Sequence, residues 1–192
     1  MKLGCVVMAA GNSSRFGENK LAQHVNGKTV FRRTLESIPA ESFDGVVVVL
    51  NSPLFSDIVK DLNFTYIYNV FPEKGISRTI ALGLSALSEC DGVLFCVADQ
   101  PLLRRESICA LISLWRSAPD KIAALAHQGR RGNPCLFPAR FFPELLALEG
   151  DRGGSAVIRR HEEELVLLEV DSPQLQDIDT PEQFRALLDT IS

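Results

Sequence analysis

The stretch VVMAAGNSSRFGENKL, residues 6–21, combines the start of an apolar, strand-like run with an unusual turn. Its apolar start continues from Leu3 and predicts a buried strand over residues 3–10. A turn rich in Gly, Ser and Asn follows, with the cations Arg15 and Lys20 beside it. Backbone N–H groups in such a turn can converge on an anion such as a phosphate. The other interpretation is an ordinary, solvated strand-to-helix loop, and only the rest of the chain can decide between the two.

Strand-like and helix-like segments alternate after this start. Near-continuous apolar runs predict strands buried on both faces at 3–10, 45–50, 64–69, 92–98 and 122–127. Helical patterns lie between them at 29–37, 54–61, 78–88 and 105–117. This alternation predicts an α/β fold with three layers, in which helices cover both faces of a Rossmann-like, mostly parallel, twisted sheet. Ligands of such folds bind beyond the carboxyl ends of the strands.

Residues 128–176 interrupt the alternation. We interpret them as an excursion from the sheet, with a short strand at 134–138, a helix near 141–148 and a loop at 149–155. The chain then returns with a strand at 164–170 and ends in a helix that Thr180 caps, with Pro181 in its first turn. We therefore expect one domain over residues 1–192, with 128–176 as an excursion within it on the side of a second substrate.

Composition excludes several classes of protein. Apolar residues make up 46% of the chain and charged residues 23%, as in ordinary globular domains. The net charge of −4 argues against a nucleic-acid partner, because that binding needs a positive surface. No segment reaches the roughly 18 apolar residues of a membrane span, so we expect no membrane partner. Five cysteines without a CxxC pair predict free, buried thiols in a cytoplasmic protein.

The first loop is neither a Walker A sequence nor a GxGxxG motif. Five residues separate Gly11 from Gly17, and Glu18 stands where a Walker A loop has its Lys. What the loop offers is a run of small residues after a strand, with Arg15 able to grip phosphate oxygens in a bidentate manner. Spacing alone leaves phosphate binding and a solvated basic loop equally open.

Acidic side chains follow the fourth long strand and precede the last helix. Asp99 stands where the apolar run at 92–98 stops, a position suited to holding Mg²⁺ on a nucleotide. Asp177 and Asp179 alternate, so in an extended segment they face the same side, and one of them could complete a metal site with Asp99. The competing interpretations are a turn or capping role for Asp99 and a helix N-terminal role for the other two.

A fourth segment, EKGISRTIALGL at 73–84, follows the third strand. Gly75 allows the backbone to approach a ligand closely, and Ser77 stands near the predicted helix start. We interpret these two as contacts to a base or ribose. A simple N-cap role for Ser77 is the alternative.

Together these segments resemble the nucleotidyltransferases of the molybdenum-cofactor type, the MobA-like NTP transferases. MAAGNSSRFGENK at 8–20 is similar to their first motif, approximately LAAGxSxRFGxxK, and ADQP at 98–101 is similar to the motif that supplies a magnesium ligand. DIDTPEQF at 177–184 resembles their C-terminal signature. GRRGNPCLFPARFFPELLALEGDRGG at 129–154 is similar to the cytidylyltransferase branch, where it lines the side of the pterin substrate.

The resemblance implies a fold of the nucleotide-diphospho-sugar transferase type and a cytoplasmic enzyme. Its activity would be transfer of CMP from CTP to the phosphate of molybdopterin, with release of pyrophosphate and Mg²⁺ as cofactor. A molybdoenzyme or its maturation chaperone would be a further partner. The implied catalytic residues are Arg15, Lys20 and Asp99, and the implied metal ligands are Asp99 and Asp179. The implied nucleotide-binding residues are Ala9, Ala10, Gly11, Asn12, Ser13, Ser14, Arg15, Lys20, Gly75, Ser77 and Asp99. The implied acceptor-binding residues are Gly132, Asn133, Pro134, Asp151 and Gly153.

Two departures from that pattern bear on the acceptor. Asn133 stands where the family often has His, and Ser155 stands where an Arg is usual, with Arg152 or Arg159 as possible substitutes. Three other functions stay open: the same chemistry with GTP or another phosphorylated acceptor, a non-catalytic chaperone that delivers molybdenum cofactor to an enzyme such as xanthine dehydrogenase, and a dinucleotide-binding oxidoreductase. The missing GxGxxG motif counts against the last.

Overall fold

A seven-stranded sheet forms the centre of the computed structural model, which describes residues 1–11 and 19–191. The strand order is β5-β4-β1-β6-β8-β7-β9, and β2 and β3 form a separate small hairpin. In chain order the strands are β1 (Leu3–Ala9), β2 (His24–Val25), β3 (Lys28–Thr29), β4 (Gly45–Leu50), β5 (Thr65–Tyr68), β6 (Gly92–Val97), β7 (Ile122–His127), β8 (Arg130–Pro138) and β9 (Leu165–Glu169).

Helices connect the strands, with short 3₁₀ turns between several elements. In chain order they are α1 (Val30–Glu36), α2 (Ser56–Asp61), α3 (Ile76–Ser85), α4 (Arg105–Ser117), α5 (Phe142–Leu146), α6 (Ser155–Ile158) and α7 (Pro181–Ile191). None of the described helices is long and apolar enough to cross a membrane. The four helices predicted over 29–117 are confirmed, with shifted ends.

Apolar side chains pack on both faces of the sheet, which gives the three layers predicted from the sequence. Successive residues of β1 point to opposite sides: Cys5 and Val7 pack in the core under α1 and α4, whereas Val6 packs in the core under α3. Trp115 of α4 is fully buried in the first of these cores. Burial on both faces explains why the inner strands read as unbroken apolar runs.

Strand β5 differs from the predicted pattern because it lies at the edge of the sheet. The run 64–69 was predicted to be buried on both faces, but Thr65 is exposed and Tyr68 keeps 38% of its surface accessible. Among the described residues it pairs only with β4, in parallel. An edge strand has a neighbour on one side alone, and its side chains are therefore covered less completely.

Strand β8 corrects the prediction that residues 128–176 leave the sheet. Its nine residues lie inside the sheet, antiparallel to both β6 and β7. The predicted short strand at 134–138 is its second half. Only Gln128 and Gly129 separate β7 from β8, with φ of 50° and 72°. A two-residue turn with positive φ at both positions forms a hairpin and is too short for the crossover that a parallel strand requires.

The ends of several helices follow from local hydrogen bonds. The Thr180 side chain accepts a bond from the Gln183 N–H, and the Gln183 side chain accepts one from the Thr180 N–H, which together form a capping box. The predicted N-cap is thereby confirmed. Helix α3 begins at Ile76 with Gly75 as its N-cap, so the proposed capping role of Ser77 is wrong. The predicted loop at 149–155 ends where Ser155 begins α6.

The five cysteines all lie within the described part of the chain and are free. Four of them are buried, as predicted, and Cys109 on α4 is partly exposed.

Candidate functional site

A cleft of about 570 Å³ opens at the carboxyl ends of β1 and β6, which are neighbours in the sheet. Ala9, Ala10 and Gly11 line it where β1 ends, and Asp99 lines it where β6 ends. This is the position at which α/β sheets bind their ligands. The sequence predicted all four of these residues as part of a nucleotide site. Of the other predicted loop residues, Asn12, Ser13, Ser14 and Arg15 lie outside the described part of the chain.

Lys20 joins two carboxylates at the floor of this cleft. Its Nζ donates to Oδ2 of Asp99 at 2.5 Å and to Oδ1 of Asp179 at 2.9 Å. The Lys20 and Asp99 side chains are only 17% and 16% exposed. Burial by itself lowers the pKa of Lys20, but the charges and hydrogen bonds of Asp99 and Asp179 outweigh it, so the pKa lies above its ordinary value. The ammonium group is therefore charged when an anionic ligand arrives.

Two hydrogen bonds explain how Lys20, Asp99 and Asp179 come together although they are far apart in sequence. Asn19 caps the short turn Lys20–Ala22 by accepting a hydrogen bond from the Leu21 N–H at 3.2 Å. The Ile178 N–H donates to the backbone oxygen of Asp99 at 3.2 Å, and this bond holds residues 177–179 beside the end of β6. Asp179 consequently stands close to Asp99, as the alternating pattern DID predicted.

Asp99 has the features of a cation ligand. Its Oδ1 is buried and has no hydrogen-bond partner among the described residues. An unpaired buried carboxylate oxygen is costly unless another group satisfies it. Mg²⁺ bound to nucleotides is usually held by one or two carboxylates together with phosphate oxygens and water. Asp99 and Asp179 fit that donor set. Within residues 1–11 and 19–191, no three His, Cys, Asp or Glu side chains form a complete metal site.

Asp177 is a third carboxylate at the cleft. The residue is exposed overall, yet it lines the cleft together with Asp99. Loss of solvent around its carboxyl, and next the negative charge of Asp99, raise the pKa of Asp177 to about 6. Asp179, by contrast, shares Lys20 with Asp99 through a hydrogen bond of 2.9 Å.

Asp177→Asn is expected to raise the melting temperature near pH 7.5 and to change it little near pH 4. Because the folded-state pKa is raised from 3.8 to about 6, this carboxyl favours the fold below pH 3.8, and that contribution is lost as pH rises through about 6. Asparagine does not ionise and so avoids the loss. Thermal melts in EDTA across this pH range test the prediction, with the exposed Asp120→Asn as control. Identical pH profiles for wild type and Asp177→Asn would contradict it.

Gly75 and Ser77 lie at the wall of the cleft that carries α3. Gly75 lines the cleft with φ +85° and ψ −179°, a conformation that is essentially restricted to glycine. A Cβ at this position would lie 2.3 Å from the backbone of Gly150. Ser77 is buried, its N–H donates to the Gly150 oxygen at 3.1 Å, and it is not among the residues that line the cleft. The loop at 150 is thereby joined to the start of α3.

The predicted acceptor residues fall into three groups. Asp151 lines the cleft. Asn133 and Gly153 line an adjoining space of about 160 Å³, here called the side cavity. Gly132 faces Leu175, whose Cδ1 lies 3.0 Å from the position of a Cβ, and Pro134 follows a cis peptide bond. Neither of these two lines the cleft or the side cavity.

Sequence reasoning missed a buried polar residue that organises the loop at 69–79. The Asn69 side chain is almost fully buried, donates to Oγ1 of Thr79 at 3.2 Å and accepts from the Phe71 N–H at 3.1 Å. Its oxygen also accepts from Nε of Arg78 at 3.2 Å. These bonds fix Thr79 and the preceding turn along the cleft, where Pro72 and Glu73 also lie. The signal was available, because Asn69 is the polar residue that ends the predicted strand at 64–69.

Comparison with known proteins identifies a family model and several relatives that this chain matches. The model of the MobA-like NTP transferase domain matches residues 5–165. The Purine catabolism protein PucB of Bacillus subtilis (strain 168) is 29% identical over 194 residues, covering 93% of this chain and 92% of that protein. A Probable molybdenum cofactor guanylyltransferase of Pyrococcus furiosus is 34% identical over 116 residues, which cover 58% of this chain and 55% of that protein.

Among solved structures, the crystal structure of Rv0371C from Mycobacterium tuberculosis H37Rv in complex with manganese superposes with a TM-score of 0.79. It is 22% identical and covers 99% of this chain and 100% of its own. At that identity the likeness establishes the shared fold alone.

Proposed function

Since this chain belongs to the MobA-like NTP transferase domain family, we propose that it transfers a nucleoside monophosphate from a nucleoside triphosphate to a phosphorylated acceptor. In its specific form the proposal is transfer of CMP from CTP to the phosphate of molybdopterin. A phosphate oxygen of the acceptor forms a bond to the α-phosphorus of CTP, the bond from that phosphorus to the bridging oxygen breaks, and pyrophosphate leaves. The attacking phosphate is already ionised, so the reaction requires no general base from the protein.

One observation carries this proposal: the cluster of Lys20, Asp99 and Asp179 at the joined ends of β1 and β6, with Oδ1 of Asp99 buried and unpaired. Two anionic substrates repel each other, and the protein must align them and offset the charge that develops on the leaving group. A Lys on the floor of the cleft supplies one positive charge. The two carboxylates would hold Mg²⁺, which supplies further positive charge to the phosphates when it is bound.

The remaining cleft residues have positioning roles in this proposal. The backbone at Ala10 and Gly11 would contact the triphosphate, and Arg15, which lies outside the described residues, is proposed as a further phosphate ligand. Gly75 and Thr79 lie along the opposite wall, on the side proposed for the base and ribose. Asp151, Asn133 and Gly153 mark the acceptor side, within the segment 128–176 that we propose as the acceptor-binding part of a single domain.

The choice of CTP rests on the similarity of residues 129–154 to the cytidylyltransferase branch. The Pyrococcus furiosus relative, by its name, acts with guanylyl groups, which makes GTP the competing nucleotide. The match to the Purine catabolism protein PucB, which covers 92% of that protein, supports a role connected to purine breakdown. A molybdoenzyme or its maturation chaperone is the further partner in this proposal.

Thermal melts with Mg²⁺ and one nucleotide at a time test the proposal. CTP at about one hundred times its dissociation constant should stabilise the protein by about 2.7 kcal/mol, a rise of several degrees in melting temperature. UTP, ATP and NADH are the comparison ligands. A larger shift with GTP would replace CTP in the proposal, and a shift with NADH alone would point to a dinucleotide-binding oxidoreductase. No shift with any nucleoside triphosphate would overturn nucleotidyl transfer.

A further inference from the structure

The ammonium group of Lys20 lies between the two carboxylates that are proposed to hold Mg²⁺. Its Nζ lies 2.5 Å from Oδ2 of Asp99 and 2.9 Å from Oδ1 of Asp179. Mg²⁺ binds carboxylate oxygens at about 2.1 Å, so an ion that bridges these two oxygens needs the space that Nζ fills. Lys20 and a bridging metal ion therefore exclude each other from this position.

The backbone holds the two carboxylates in place, whereas the lysine side chain can move. Asp99 follows the end of β6, and its backbone oxygen accepts the Ile178 N–H at 3.2 Å. The Asp179 N–H donates to the Gln183 side chain at 2.8 Å, which joins Asp179 to the first turn of α7. The Lys20 side chain is a flexible four-carbon stem, and its polar partners within the described part of the chain are these two carboxylates. When a metal ion enters, the ammonium group is therefore the group that moves.

Moving the ammonium group away from the carboxylates has a cost in the ligand-free protein. The side chains of Lys20 and Asp99 are only 17% and 16% exposed, so water compensates poorly for a broken ion pair there. The displaced ammonium group would also be repelled by the metal ion. Phosphate oxygens of a nucleoside triphosphate remove this cost, because they accept from the displaced ammonium group and bind the metal ion as well. The nucleotide therefore favours metal binding, and by thermodynamic linkage the metal raises the nucleotide affinity by the same factor.

We propose that Lys20 occupies the metal position in the ligand-free protein and keeps a metal ion from binding there alone. A nucleoside triphosphate draws the ammonium group onto its phosphates and leaves both carboxylates to the metal ion, so metal and nucleotide bind together. Oδ1 of Asp99, which is buried and has no partner among the described residues, gains one at the same time. The inference deepens the proposed function and rests on it, because that function supplies the nucleotide. Lys20 thus controls the order of binding in addition to contacting phosphate.

Mn²⁺ titrations without nucleotide, followed by electron paramagnetic resonance, test this inference. Lys20→Met removes the ammonium group and keeps an unbranched side chain, and we expect it to bind Mn²⁺ at least about tenfold more tightly than wild type. Lys20→Gln should show the same gain and takes its place if Lys20→Met does not fold. Lys28→Met is the matched control and should bind Mn²⁺ as wild type does. Lys28 also pairs with a carboxylate, Oε2 of Glu36 at 2.6 Å, but it is 51% exposed and does not line the cleft.

The double variant Lys20→Met/Asp179→Asn separates occupation of the metal position from an effect of charge at a distance. The gain in Mn²⁺ affinity should disappear in it, because the bridging position needs both carboxylates. Equal Mn²⁺ affinity of wild type and Lys20→Met, or a gain that survives the second substitution, would overturn the inference. These titrations contain no nucleotide, so their result stands even if wild type fails to respond to any nucleoside triphosphate in thermal melts. That lack of response would refute the proposed function, and the two failures are therefore distinguishable.

Discussion

Asp99→Asn is expected to lower the rate of nucleotidyl transfer by roughly 10³-fold, or about 4 kcal/mol of transition-state stabilisation. The substitution keeps the shape of the side chain but removes the negative charge that Lys20 contacts at 2.5 Å, together with the unpaired buried oxygen proposed to bind Mg²⁺. The fold should persist, because Asp99 stands beyond the end of β6 and not among the apolar core residues. Steady-state pyrophosphate release at saturating CTP and acceptor measures the effect.

Metal binding provides a second readout of the same variant. Mn²⁺ titrated in the presence of CTP and followed by electron paramagnetic resonance should bind at least ten times more weakly to Asp99→Asn than to wild type. Asp120→Asn, an exposed carboxylate remote from the cleft, is the control for both measurements and should behave as wild type. Wild-type turnover in Asp99→Asn with Mg²⁺ would show that the metal assignment is wrong.

Gly75→Ala is expected to destabilise the protein by ~3 kcal/mol or more, a drop of roughly 6–12 °C in melting temperature. The backbone at Gly75 has φ +85° and ψ −179°, which side chains rarely tolerate. The added Cβ would also lie 2.3 Å from the Gly150 carbonyl carbon and oxygen and 2.7 Å from Oδ1 of Asp151. Both neighbours belong to the loop at 149–151, so the variant should separate this loop from α3 and weaken acceptor binding as well.

Gly129→Ala is the control for a positive φ without a close neighbour. Gly129 also has a positive φ, +72°, but a Cβ there would meet nothing within 4 Å. Its variant should therefore lose only the backbone contribution, about 1 kcal/mol, or roughly 2–4 °C. Equal losses in Gly75→Ala and Gly129→Ala would mean that the contact with Gly150 contributes nothing, and the account of this wall of the cleft would be wrong.

The parallel strands could be predicted from the sequence, because a strand that is buried on both faces is an unbroken run of apolar residues. Runs such as GVVVVL at 45–50 and GVLFCV at 92–97 contain no polar residue, and the structure places them next to β1. Ala10 follows the end of β1 and Asp99 follows the end of β6. Predicting that these residues share a cleft required only the rule that neighbouring parallel strands end at the same edge.

The antiparallel strand was harder to predict because its signal is a two-residue turn. HQGR at 127–130 looks like part of a Gly-rich loop, and only the positive φ of Gln128 and Gly129 shows a hairpin. Pairing between β7 and β8 also shifts register between Ala124 and Ala126. An irregularity of this kind disturbs the simple alternation of faces, so the sequence alone could not tell that Asn133 lines the side cavity whereas Gly132 faces Leu175.

The side-chain hydrogen bonds within the candidate site could not be predicted from the sequence either. Lys20 was assigned to phosphate from its place in the first motif, but its bonds to Asp99 and Asp179 join segments 79 and 159 residues away. Contacts of such long range depend on the packing of the whole sheet.

Product analysis tests the central claim most directly. The protein is incubated with molybdopterin, Mg²⁺ and either CTP or GTP, and both pyrophosphate and the pterin product are quantified by mass spectrometry. The account predicts one molybdopterin cytosine dinucleotide for each pyrophosphate released with CTP, and little product with GTP. Failure to form a dinucleotide with either nucleotide, by protein that binds CTP and Mg²⁺, would contradict transfer of CMP to this acceptor.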